Sequence, residues 1–76
     1  MFSNFRFLDN FIVELTTSAG TVLYFSLEPY LDLGDFTQLK NLDTLTDCKF
    51  DELGGLNWSC GVSLSADTLM INSYKK

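Results

Sequence analysis

Two alternating stretches joined by a glycine turn constrain this chain more than any other feature. Over residues 11–17, FIVELTT, Phe11, Val13 and Leu15 fall on one side of an extended chain and Ile12, Glu14 and Thr16 on the other. Over residues 21–27, TVLYFSL, Leu23, Phe25 and Leu27 share a side in the same way. A period of two is the signature of a half-buried strand, not of a helix. Ser18-Ala19-Gly20 lies between the two stretches, with glycine where a tight turn needs positive φ. The pattern predicts an antiparallel hairpin with one apolar face.

The rest of the chain supplies elements to cover that face. Residues 2–8 alternate weakly, with Phe5 and Phe7 opposite Arg6, and predict a first strand ending at the Asp9-Asn10 turn. Glu28-Pro29 ends the hairpin, because proline has no ladder donor and suits the first position of a helical turn. Residues 30–33 read as that turn, stopped by Gly34. Asp35 with Gln38 reads as a capping box, and Phe36, Leu39 and Leu42 recur every three residues on one helix face. Residues 41–47 read as a second helical turn or a loop. Residues 48–52 and 56–60 flank Leu53-Gly54-Gly55 and predict another hairpin, with Phe50 and Trp58 on one face. A three-residue turn there sets Cys48 opposite Cys60, on condition of that register. Residues 62–64 add a short strand, and Ser65 caps a final helical turn over residues 66–71. Trp58, Val62, Leu64, Leu69 and Met70 then form the closing wall of a small core. Residues 72–76 read as a polar, frayed tail.

The order is strands, helix, strands, short helix. It predicts an α+β fold: an antiparallel sheet of about five strands with one main helix packed on one face. With 76 residues the chain makes one domain and buries roughly 60% of its unfolded surface. Apolar residues at 46% and aromatics at 14% are enough for a packed core, as a monomer or a small homo-oligomer.

Charge narrows the choice of partner. Ten acids face five bases, for a net charge of −5. Between Phe7 and Tyr74 the ten acids meet only Lys40 and Lys49, a local balance of −8. Such a body repels phosphate backbones, so direct nucleic-acid binding is not expected. A basic surface on another protein is attracted instead. The longest apolar run is Val22-Leu23-Tyr24-Phe25, far short of a membrane span, and Arg6 and Asp9 break the N-terminal segment as a signal peptide. The expected compartment is the cytoplasm, where Cys48 and Cys60 stay reduced.

Catalytic chemistry finds little footing. Histidine is absent, which removes the commonest general base and metal ligand. Ser59-Cys60-Gly61 has a nucleophile's look without a base to activate it. Asp32-Leu33-Gly34-Asp35 lacks the alternating ligands of a calcium loop, and Gly54-Gly55 lacks the lysine and helix of a phosphate loop. No catalytic residue, metal ligand or cofactor is expected. The remaining signal is acidic: Asp32, Asp35, Asp43, Asp47, Asp51 and Glu52 fall within 21 residues. They are either ordinary solvated faces, with Asp35 as a helix cap and Asp51-Glu52 as a turn, or one continuous negative patch. As a patch, carboxylates stand in for phosphates and occupy a partner's nucleic-acid groove.

Several runs resemble the bacterial family known as domain of unknown function 2442. They are Asp9-Asn10-Phe11-Ile12-Val13-Glu14-Leu15, Gly20-Thr21, Phe25-Ser26-Leu27-Glu28-Pro29-Tyr30-Leu31, Phe36-Thr37-Gln38-Leu39, Trp58 with Gly61, and Leu64-Ser65-Ala66-Asp67-Thr68-Leu69. The resemblance implies a small α+β fold. It also implies a toxin–antitoxin-like setting beside a second small protein, and some members carry an added helix-turn-helix. Size and charge alone are also similar to phage anti-CRISPR inhibitors. The functional expectation is therefore a non-enzymatic acidic protein-binding inhibitor, in its narrowest form a DNA-mimic anti-CRISPR. The alternative is an antitoxin-like or regulatory module that neutralises a small partner protein.

Overall fold

The computed structural model describes residues 2–75. The fold is α+β, with six antiparallel strands in two three-stranded sheets. In the first sheet β1, Phe2–Leu8, pairs with β2, Ile12–Thr17, which pairs with β3, Val22–Ser26. The register sets Val13 opposite Phe25 and Leu15 opposite Leu23. Val13 and Leu15 are fully buried, so the apolar side of the alternation is the side that packs. Gly20 turns the hairpin at φ +88°. β1 and β2 are joined through Asp9–Phe11, a 3-10 turn in which Asn10 takes φ 63° and Phe11 φ 60°.

The chain leaves this sheet through a second 3-10 turn, Glu28–Tyr30, with Pro29 near its start. The expected main helix is itself a 3-10 helix, Gly34–Lys40. The three-residue recurrence of Phe36 and Leu39 is the period of that helix, not of an α-helix. Its capping box does not form. Leu33 holds the N-cap with no side-chain bond, and the Gln38 amide donates to the Asp35 backbone carbonyl at 3.3 Å. An α-helix follows, α1, Leu42–Thr46, whose cap is Asn41: its Oδ1 accepts from the backbone N–H of Asp43 at 2.9 Å and of Thr44 at 3.4 Å. Asn41 is extended, which resets the helical phase. Leu42 therefore faces solvent, 67% exposed, and Leu45 turns into the core in its place.

The second sheet holds β4, Cys48–Phe50, β5, Leu56–Trp58, and β6, Ser63–Leu64. Its strands pair with one another and not with the first three, so two sheets replace the single one expected. Helix α2, Ala66–Asn72, closes the fold, with the Ser65 hydroxyl accepting from the Thr68 N–H at 3.2 Å as its cap. Of the expected closing wall, Trp58, Val62, Leu64 and Leu69 are buried, while Met70 is 48% exposed. One helical step turns Met70 about 100° away from the stripe that Leu69 occupies. The tail is not frayed throughout: Tyr74 bridges to β3, whereas Lys76 lies outside the described residues.

One hydrophobic cluster spans both sheets. Val13, Leu15 and Phe25 meet Leu56, Trp58 and Leu64, with Leu39, Leu45 and Leu69 from the helical segments. Each such fully buried side chain contributes about 1.5–3 kcal/mol. No helix among the described residues is long and apolar enough to cross a membrane.

Candidate functional site

The six candidate carboxylates all belong to exposed residues, but their local duties differ. Asp32 is paired with Lys40, Oδ1 to Nζ at 3.1 Å. Asp35 stands in the first turn of the 3-10 helix and Asp43 in the first turn of α1, where a negative charge faces unsatisfied N–H groups. Asp47 ends α1, and its backbone carbonyl accepts from the Ser59 N–H at 3.1 Å. Glu52 lies in the turn between β4 and β5.

Asp51 builds that turn. Its Oδ1 accepts from the N–H of Leu53 and of Gly55, each at 2.8 Å, and its Oδ2 accepts from the Asn57 amide at 2.9 Å. The Asn57 amide first, then the Gly55 N–H, hold its carboxyl below the ordinary 3.8, with Leu53 and Gly54 adding to them. Gly54 completes the loop at φ +86°. Gly55 follows under tight constraint: a Cβ there would lie 2.6 Å from the Leu64 carbonyl oxygen.

This turn corrects the expected register. The closing backbone bond runs from the Asp51 N–H to the Gly55 carbonyl at 2.9 Å. The turn is therefore residues 52–54, one residue earlier than the expected residues 53–55. The shift sets Cys48 opposite Trp58 instead of Cys60. Both cysteines are free and half-buried. Burial pushes the Cys48 thiol up to about 12; a backbone hydrogen bond involving Asn57 opposes this, and the Asp47 charge adds to it. Phe50 and Trp58 share a face, as expected, since Cys48 and Phe50 pair with Trp58 and Leu56.

The structure thus ties Asp47 and Asp51 to the β4–β5 hairpin and Asp32 and Asp35 to the 3-10 segment before it. Among the described residues, no three Cys, Asp or Glu side chains converge closely enough to hold a metal ion.

A second feature lies on the first sheet and escaped the sequence. Tyr74 sits on the outer edge of β3: Tyr24 N–H donates to Tyr74 O and Tyr74 N–H to Tyr24 O, both at 2.8 Å. The two rings stand 6.1 Å apart. Next to this bridge runs an open groove of about 390 Å3, lined by Ser26, Pro29, Tyr30, Leu33, Asn72 and Tyr74. Tyr30 is held in place between Phe25 and Phe36, with ring centroids 5.7 and 5.4 Å away. The sequence signal for this feature was the aromatic Tyr74 inside an otherwise polar tail.

These observations define a small two-sheet α+β module with an acid-bearing helical segment on one side and an aromatic groove beside a sheet edge. A family model described as "Protein of unknown function (DUF2442)" matches residues 2–74, and the chain belongs to that family. No curated protein matches the chain, and no solved structure does. The family resemblance read from the sequence therefore holds, while the likeness to phage anti-CRISPR inhibitors finds no support.

Proposed function

We propose that this protein is a non-enzymatic binding module that recognises a basic surface on a partner protein. The observation that carries this reading is the excess of ten acids over five bases, with all six candidate carboxylates on exposed residues. Among the described residues, Asp32 alone of the six forms an ion pair with a basic side chain, and that bond spans two exposed groups of little energetic weight. Asp35, Asp43, Asp47 and Glu52 are the carboxylates best placed to meet a partner, because Asp51 is committed to its own turn. The non-enzymatic part rests on the absence of histidine and on a Cys48 thiol pushed to about 12, far from a thiolate at neutral pH. Two free cysteines suit a reducing cytoplasm. A DNA-mimic inhibitor of a nucleic-acid-binding complex is the narrower form of this proposal, and it rests on charge alone.

A second reading is favoured by Leu33 and Tyr74, 55% and 45% exposed beside the groove. An antitoxin-like module would hold a small partner through such apolar surface. Affinity capture from host extract at about 50 and about 500 mM salt separates the two, since charge pairing at a surface is screened within a few ångströms at the higher value. Parallel capture uses a variant with Asp35, Asp43, Asp47 and Glu52 changed to Lys. A partner lost at high salt and lost by the variant supports the acidic face. A partner retained in both overturns it and leaves the apolar reading.

A further inference from the structure

We propose that the outer edge of β3, with the groove that continues it, docks an extended, basic, aromatic-bearing segment of the partner, and that the chain's own tail occupies this edge as a self-ligand. The inference rests on the protein-binding reading above and names the site.

The edge follows from the ladder. Leu27 N–H donates to Phe11 O and Thr17 N–H to Thr21 O, which makes residues 11 and 27, and 17 and 21, bonded pairs. Bonded and non-bonded pairs alternate in an antiparallel ladder, so Val22, Tyr24 and Ser26 turn their backbone groups away from β2. Tyr24 bonds Tyr74 on that side. Continuing the antiparallel bridge would bring Asn72 to Ser26, but Asn72 closes α2, where its side-chain amide donates to the Thr68 carbonyl at 3.0 Å. The chain therefore leaves the edge at Ser26, and the groove opens where it leaves, with Ser26 and Asn72 both in its lining.

What sits on the edge indicates what fits it. The tail residue there is aromatic and is followed by Lys75 and Lys76, in a chain whose remaining body is strongly acidic. In the chain, Glu28 precedes the groove residues Pro29 and Tyr30, and Asp32, exposed and paired with Lys40, precedes Leu33. A partner strand of the tail's own character would gain the backbone groups of Val22, Tyr24 and Ser26, the ring contact with Tyr24 that Tyr74 now makes, and attraction to those acids. Because the tail must leave first, it lowers the apparent affinity by the fraction of time it is seated.

The test is a titration of the isotopically labelled full-length protein, followed by backbone amide NMR. The probe is the capped peptide Asn-Ser-Tyr-Lys-Lys, and the control is Asn-Ser-Tyr-Glu-Glu. Wild type is compared with Tyr74→Pro, which removes the tail's donor to Tyr24, and with Tyr74→Ala, which keeps the donor and loses the ring. The expected result is shifts at Val22, Tyr24, Ser26, Tyr30 and Leu33, with half-saturation at about fivefold less peptide in Tyr74→Pro than in wild type. Tyr74→Ala shifts in the same direction and decides the matter if the proline variant does not fold. The Glu peptide binds at least about fivefold more weakly. Equal response to both peptides, or no response along β3 in any form, overturns the proposal. Shifts confined to residues 43–52 overturn the edge site while leaving the acidic face standing. Loss of salt-sensitive capture with the β3 shifts intact does the reverse.

Discussion

The indole Nε1–H of Trp58 donates to the backbone carbonyl of Leu45 across 2.8 Å in the buried centre of the molecule. This bond joins β5 to the last turn of α1, where a helical carbonyl has no partner within its own helix. It sets the position of the acid-bearing segment against the second sheet. Trp58→Phe keeps most of the apolar volume and removes the donor. It is expected to lower unfolding free energy by about 1–3 kcal/mol, the cost of a buried carbonyl left unpaired. Chemical denaturation followed by Tyr fluorescence or circular dichroism measures it. An unchanged midpoint would show that the bond adds nothing.

Asp51 makes the second hairpin acid-sensitive. Its carboxyl is depressed in the folded state by the Asn57 amide and by the N–H groups of Gly55, Leu53 and Gly54. Its contribution is therefore fully present above the ordinary 3.8 and is lost as pH falls through the lower folded value. Asp51→Ala is expected to be less stable than wild type at pH 7, with the gap narrowing below about pH 4. Thermal melts of both proteins across that range test this, and a constant gap would contradict it.

Gly55→Ala should be among the most damaging small substitutions in the chain. The added methyl meets backbone, the Leu64 carbonyl at 2.6 Å and the Ala66 nitrogen at 3.3 Å, neither of which can swing aside. Overpacking of this kind costs about 1–3 kcal/mol. A melting temperature within a degree of wild type would mean that β5 and β6 part easily.

Cys48 should resist alkylation in the native protein. A thiol raised from 9.0 to about 12 has roughly a thousandfold less thiolate at pH 8 than the unfolded chain. Pulse labelling with iodoacetamide and mass spectrometry of the Cys48 peptide, with and without urea, gives the ratio. The stability sign is also fixed: burial of the neutral thiol favours the fold below 9.0, and that benefit is lost as pH rises towards about 12.

Much of the first sheet was legible in the sequence because alternation with a period of two leaves one register that buries Val13, Leu15, Leu23 and Phe25 together. The second hairpin was less legible. Leu53-Gly54-Gly55 offered two adjacent glycines, and only the Asp51 carboxylate, by bonding forward to Leu53 and Gly55, selects the earlier turn. Leu42 was placed on the packed helix face by its spacing, yet Leu45 takes the core position; the extended Asn41 decides between them. At the candidate site, the exposure of the acids followed from their type. The tail's seat on β3 did not, because a one-residue bridge between Tyr24 and Tyr74 leaves no periodic trace.

The strand order within each sheet has a kinetic consequence. β1, β2 and β3 are consecutive neighbours, and so are β4, β5 and β6, so every ladder closes a short loop. Local closure of this kind favours fast folding, whereas the Tyr24–Tyr74 bridge must span 50 residues of chain. Mutations in the two hairpins should therefore change the folding rate, and changes at Tyr74 should act on unfolding instead, as befits a contact made late and released early.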